Sequence, residues 1–149
     1  MTGGGWIDSP AGACKTAPCT ALTVGKANFG FVSKYKKGQS TPDGNTEFQF
    51  KAGDINFHSE NYEWLVVAGA KAQFKGTGTI NGSGNYGFMI TAIDGQISGG
   101  GGVDKFRIKI WDKNNSDMVV YDNQVTGDTS DTATPNTALG GGSINIQAK

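Results

Sequence analysis

The chain has 149 residues, 36% of them hydrophobic and 17% charged, with 24 glycines and with 13 basic residues balanced by 13 acidic ones. That length fits one domain spanning 1–149 with a sizeable core, and the balanced charge, with no like-charged run longer than Lys36-Lys37, leaves no electrostatic footprint for nucleic acid. The longest apolar run, Trp64 to Ala68, falls far short of the roughly 20 residues a membrane helix requires, so helical membrane insertion is excluded too.

In chain order, Gly3 to Gly5 reads as the end of a linker, which suits a domain excised from a larger protein, and a short strand is expected around Trp6. Cys14 and Cys19 follow, spaced to close a small disulfide loop in an oxidising compartment, with free thiols as the alternative. A Cys-x-x-Cys redox motif is absent, and His58 is the only histidine, which leaves the cysteines without partners for a metal site.

Beyond them, alternating apolar and polar positions bounded by Gly, Asn, Asp and Pro give strands over Gly25 to Lys36, Glu47 to Ala52, Ile55 to Ser59, Tyr62 to Ala68 and Ala70 to Ile80. Further strands are expected over Asn85 to Ile97, Lys105 to Asp112, Met118 to Asp122 and Ser143 to Gln147, with Thr126 to Pro135 as a loop. In Glu47-Phe48-Gln49-Phe50-Lys51 and in Lys105-Phe106-Arg107-Ile108-Lys109-Ile110 the apolar side chains share one face, so each strand needs cover on that face. The fold expected is all-β, a two-layer antiparallel sandwich of about 8–10 strands.

The strands read as a weak pseudo-repeat, with chance coincidence of strand patterns in a Gly-rich chain as the alternative. Asn28-Phe29-Gly30-Phe31-Val32 matches Asn85-Tyr86-Gly87-Phe88-Met89, Gly38-Gln39 matches Gly95-Gln96, and Phe48-Gln49-Phe50-Lys51 matches Phe106-Arg107-Ile108-Lys109. The repeated units are about 25–68 and 82–122.

Several motifs carry potential chemistry. Gly82-Ser83-Gly84-Asn85-Tyr86-Gly87 fits Gly-x-Gly-x-x-Gly, but a strand follows it where a nucleotide fold needs a helix, so it reads as a hairpin turn at Asn81-Gly82. Alternation puts His58 opposite Phe57, toward solvent, and no Gly-x-Ser-x-Gly nucleophile elbow occurs, so no catalytic residues are assigned and an enzyme is not expected. The turn Asp112, Asn114, Ser116, Asp117 has the oxygen-rich start of a calcium loop, yet it lacks the sixth-position glycine and the twelfth-position Glu; the same residues suit an ordinary hairpin turn. Calcium is the one cofactor left open. Trp6, Trp64, Trp111, Tyr62 and Tyr86 are candidate platforms for a polysaccharide. Tyr62 and Trp64 share a face by strict alternation, and if Glu63 marks the outside both rings belong to the core.

The run from Thr2-Gly3-Gly4-Gly5-Trp6-Ile7 through Ala27-Asn28-Phe29-Gly30-Phe31-Val32-Ser33-Lys34-Tyr35, with Phe57-His58-Ser59, Leu65-Val66-Val67-Ala68-Gly69, Gly76 to Gly82 and Asp104 to Trp111, resembles a Gly-rich β domain. That domain recurs near the C-terminus of large secreted bacterial proteins, after immunoglobulin-like, PKD-like or choice-of-anchor repeats. The resemblance implies export, a modular setting beside neighbouring domains, and no assigned catalytic residues; the segment Cys14 to Cys19 departs from the family pattern. The function expected is therefore a non-catalytic module at the cell surface or outside the cell, serving structure, adhesion or assembly, with carbohydrate or calcium binding as the alternative. Pairing of Ser143 to Gln147 with an open edge of a second copy is a further route to self-association.

Overall fold

The computed structural model describes residues 1–146. Nine strands form: β1 (Thr2–Ser9), β2 (Gly25–Lys34), β3 (Asp43–Phe50), β4 (Ile55–Ala68), β5 (Lys71–Ile80), β6 (Ser83–Ile93), β7 (Lys105–Asp112), β8 (Met118–Asp122) and β9 (Gly141–Asn145). Among the described residues the only helical element is a 3-10 turn, Lys51–Gly53. The chain is all-β, as its glycine content and short alternating runs require. Gln147, the last residue of the expected final strand, lies outside the described residues.

The strands make one antiparallel sheet in the order β8-β7-β6-β5-β4-β3-β2-β1-β9, in place of two separate sheets. Successive strands are neighbours from β1 to β8; β4–β5 and β5–β6 turn back through tight connections, whereas the segment between β1 and β2 is longer. The sheet curls until its two halves meet. Phe29 of β2 stacks on Phe106 of β7 with centroids 4.0 Å apart, and Phe48 of β3 meets Tyr121 of β8 at 4.9 Å. The core between them is aromatic: Phe48, Phe50, Phe57, Phe74, Phe88 and Phe106 are all fully buried, each contributing about 1.5–3 kcal/mol. In β5 burial alternates along the whole strand, with Ala72, Phe74, Gly76, Gly78 and Ile80 inward and Lys71, Gln73, Lys75 and Thr77 outward. The segments expected as repeat units fall on β2–β4 and β6–β8, each a three-stranded meander, and Phe31 and Phe88 both point into the core.

Both ends of the sheet are covered. Beside β8, Lys15 N–H donates to Val120 O and Asp122 N–H to Ala13 O, so the segment after β1 pads that edge. Beside β9, Ile144 N–H donates to Asp104 Oδ2 at 2.7 Å and Ile146 N–H to Asp94 Oδ2 at 3.0 Å. Two carboxylates thus stand in for a neighbouring strand.

The expected runs Ile55 to Ser59 and Tyr62 to Ala68 are one strand, β4, which crosses Glu60 and Asn61 without a break. Its register on β5 slips twice, between Ser59 and Asn61 and between Tyr62 and Trp64. Each slip is a bulge whose extra residue is a glutamate, Glu60 or Glu63. The bulged backbone presses onto β5 where it has no side chain: a Cβ on Gly76 would lie 2.1 Å from Asn61 O, and one on Gly78 2.2 Å from His58 O.

Candidate functional site

The double slip in β4 decides where its aromatic residues point. Tyr62 faces Gly76 and turns inward, where its ring meets Phe74 at 5.1 Å. Its hydroxyl donates to Val32 O at 2.8 Å and lies 2.7 Å from Thr46 Oγ1. Burial pushes the phenol up to about 12, against hydrogen bonds to Thr46 and Ser59 that pull it down. Trp64, one bulge later, pairs with Lys75 and turns outward. The expectation that the two rings share a face, with both in the core if Glu63 marks the outside, is therefore corrected for Trp64: the extra residue Glu63 reverses the alternation between them.

On the same outer face, Trp111 of β7 lies across Gly87 of β6, its cross-strand neighbour. A Cβ at position 87 would come within 2.2 Å of the indole nitrogen and 2.6 Å of the ring carbon Cζ2, so only glycine lets the ring lie there. Lys75 extends from β5 to within 5.6 Å of the Trp111 centroid, in cation–π range. Trp64 and Trp111 line one cleft of about 410 Å³, floored by Lys75, Met89 and Lys109. Trp64, Gln73 and Thr132 continue it into an adjoining trough of about 340 Å³ beside Val66 and Ala68.

One wall of this cleft comes from the segment after β8, the expected loop Thr126 to Pro135. It crosses the outer face of β5–β7 as a strap and is pinned from below. Arg107, fully buried, pairs with Asp122 through two hydrogen bonds of 3.0 and 2.8 Å, and its remaining donors reach Ser130 O and Thr129 O. Lys109 Nζ lies 2.7 Å from Asp131 Oδ1, Gln73 Nε2 donates to Asp131 O, and Lys71 Nζ donates to Thr132 O. Gln124 ties the strap to itself, donating to Asp128 O and Thr134 O and accepting from Asn136 N–H. The wall is thus fixed before any ligand arrives.

The other aromatic candidates lie elsewhere. Trp6 sits on the outer face of β1, its ring over Gly140 and Gly141 and under the Lys26 ammonium, 4.4 Å from the centroid. Tyr86 packs against the core end of β6, where burial raises its phenol above the usual value.

Cys14 and Cys19 form the disulfide. His58 is an outward residue of β4 whose Nδ1 lies 3.2 Å from Glu47 Oε1. In the Asp112 turn, Asp112 Oδ1 accepts Asn114 N–H, an Asx turn, while Ser116 and Asp117 take left-handed backbone; the four residues close the β7–β8 hairpin. No group of three or more His, Cys, Asp or Glu is gathered as for a metal ion among the described residues. Nor, among them, is any helix long and apolar enough to cross a membrane.

Compared with protein-family models, curated proteins and solved structures, the chain finds no match.

Proposed function

We propose that the chain is a non-catalytic, carbohydrate-binding module of an exported protein, and that it holds a saccharide across Trp64 and Trp111. The observation that carries this reading is the bulge at Glu63, which turns Trp64 out of the core to share a cleft with Trp111. Each half-buried indole leaves part of its ring open to the cleft, and a pyranose offers the flat C–H face that covers it. Around the rings stand hydrogen-bonding groups suited to hydroxyls, including Gln73, Lys75 and Asp117. A cleft that combines aromatic rings with a few fixed polar groups is the usual form of a small-ligand site. The disulfide supports the exported setting, since such bonds persist in oxidising compartments. The Gly-rich domain of secreted bacterial proteins that the sequence resembles supplies the modular context.

The test is affinity electrophoresis of the whole chain through gels carrying soluble cellulose derivatives, xylan, mannan, chitosan or pectin. Retardation by at least one polymer is expected. Both indoles are already half-buried, so a sugar covers about 50 Å² of each, which at about 25 cal/mol per Å² gives about 1 kcal/mol. Trp111→Ala and Trp64→Ala should each therefore weaken binding by about fivefold to tenfold. Unretarded migration in every gel, or retardation unaffected by both substitutions, sinks the reading.

A further inference from the structure

We infer that a second saccharide site, of different chemistry, lies on the outer face of β9, β1, β2 and β3, in the hollow over Gly4 and Gly30; the inference rests on the carbohydrate reading above. The hollow measures about 440 Å³. Gly4 and Gly30 are cross-strand partners at its floor, flanked in the same row by Ser143 and Glu47.

Neither glycine is demanded by the fold. A Cβ on Gly30 meets nothing within 4 Å, and one on Gly4 meets only Phe29 O, at 3.8 Å. Neither has the left-handed φ that excludes side chains. Their inward neighbour Gly3 differs, because a Cβ there would strike the Phe31 ring at 2.5 Å. Glycine in the middle of a strand weakens it, and where packing does not require the residue it marks a place where another molecule approaches the backbone.

The rim says what kind of molecule. Thr2, Asn45, Ser143 and Asn145 line the hollow, with Val32 between Thr2 and Asn45, and are exposed side chains carrying hydroxyls and amides. With Glu47 they offer donors and acceptors on opposite sides of a flat, uncharged floor. Vicinal sugar hydroxyls, each a donor and an acceptor, match that arrangement. Recognition here would come from hydrogen bonds over bare backbone, whereas the Trp64–Trp111 cleft works by stacking. Because β2 and β3 pack against β7 and β8 through Phe29, Phe106, Phe48 and Tyr121, the two outer faces point away from each other. A chain with both sites can bridge two polysaccharide strands.

The experiment follows amide and indole N–H resonances of the full-length chain during titration with cellohexaose, xylohexaose, mannohexaose, chitohexaose and a galacturonic acid hexamer. With at least one of them, the Gly30 backbone amide and the Asn45 and Asn145 side-chain amides should shift as well as the Trp111 indole. Gly30→Val fills the hollow from a position where an added Cβ meets nothing within 4 Å. It should weaken binding at the hollow by about tenfold or more and leave the Trp111 response as it was. Asn45→Ala, on the exposed rim, should act the same way and serves if Gly30→Val does not fold. Shifts at Trp64 and Trp111 alone overturn the second site and leave the first standing. Shifts at the hollow alone support it and overturn the cleft, and no shifts at either overturn both.

Discussion

Gly87 is the residue on which the Trp111 platform depends, since any side chain there would occupy the space of the indole nitrogen. Gly87→Ala should tilt the ring off the sheet. The expected result is a shifted tryptophan emission spectrum and, on the carbohydrate reading, weaker retardation by any polysaccharide that retards the unaltered chain. The melting temperature should change little, because only a surface ring has to move. Tyr62 shows the opposite environment. Its phenol, at about 12 against an ordinary value of 10.0, is harder to ionise folded than unfolded. The neutral form is therefore the one the fold favours: its contribution to stability is complete below pH 10 and is lost as pH climbs toward 12. Burial raises Tyr121 as well, in the same direction. Melting temperature measured from pH 8 to pH 12 should fall most steeply above 10. Tyr62→Phe, which loses the hydroxyl's bonds to Val32 and Thr46, should be less stable by about 1 kcal/mol at neutral pH and show a shallower alkaline fall.

At the scale of elements, what the sequence revealed and what it concealed have a common cause. Strands with strict alternation, such as β5, are legible because one face is buried and the other is not; β7 alternates as strictly in sequence, but its outward Arg107 is buried beneath the strap. The side on which Trp64 lies was not legible, because a bulge inserts one residue without changing composition. The signal was on the partner strand: Gly76 and Gly78 leave gaps only where the bulged backbone of β4 needs them. The strap was visible as a loop, yet its fixed course was hidden, since it depends on Arg107 and Asp122 meeting across the β7–β8 pair and on donors reaching carbonyls far along the chain. Asp122→Ala leaves the buried Arg107 without its carboxylate and should cost about 3–5 kcal/mol, with faster amide exchange throughout residues 126–135. The disulfide acts on another element. It closes a short loop, worth about 2 kcal/mol by chain entropy, and it holds the segment that pads the edge of β8. In Cys14→Ser/Cys19→Ser the Lys15 and Asp122 amides, which bond across that edge, should lose their exchange protection along with that stability. An unchanged exchange pattern would mean that the padding persists without the crosslink.

For the molecule as a whole, the open question in a single curled sheet is how it avoids pairing with its neighbours. The last strand, expected from the sequence as a means of joining a second copy, has one edge on β1 and the other against Asp94 and Asp104. Those carboxylates do double duty: Asp104 Oδ1 also accepts Gly95 N–H, and Asp94 Oδ1 accepts Gln96 N–H, so both oxygens of each are used. An amide has only one acceptor oxygen, so asparagine can keep one bond of each pair and must present an N–H₂ to the other donor. Asp94→Asn/Asp104→Asn should therefore expose the Ile144 and Ile146 N–H groups at a free sheet edge, while Ile144 and Ile146 remain buried beneath it. The double variant is expected to stay folded by circular dichroism but to elute as dimers and larger species, increasingly so with concentration. Truncation after Gly142 in the same background removes the edge and tests the route: if the larger species persist without β9, association proceeds through another surface. None of the residues lining the Trp64–Trp111 cleft belongs to this edge, so on the carbohydrate reading polysaccharide retardation of the dimeric fraction should match that of the unaltered chain per subunit.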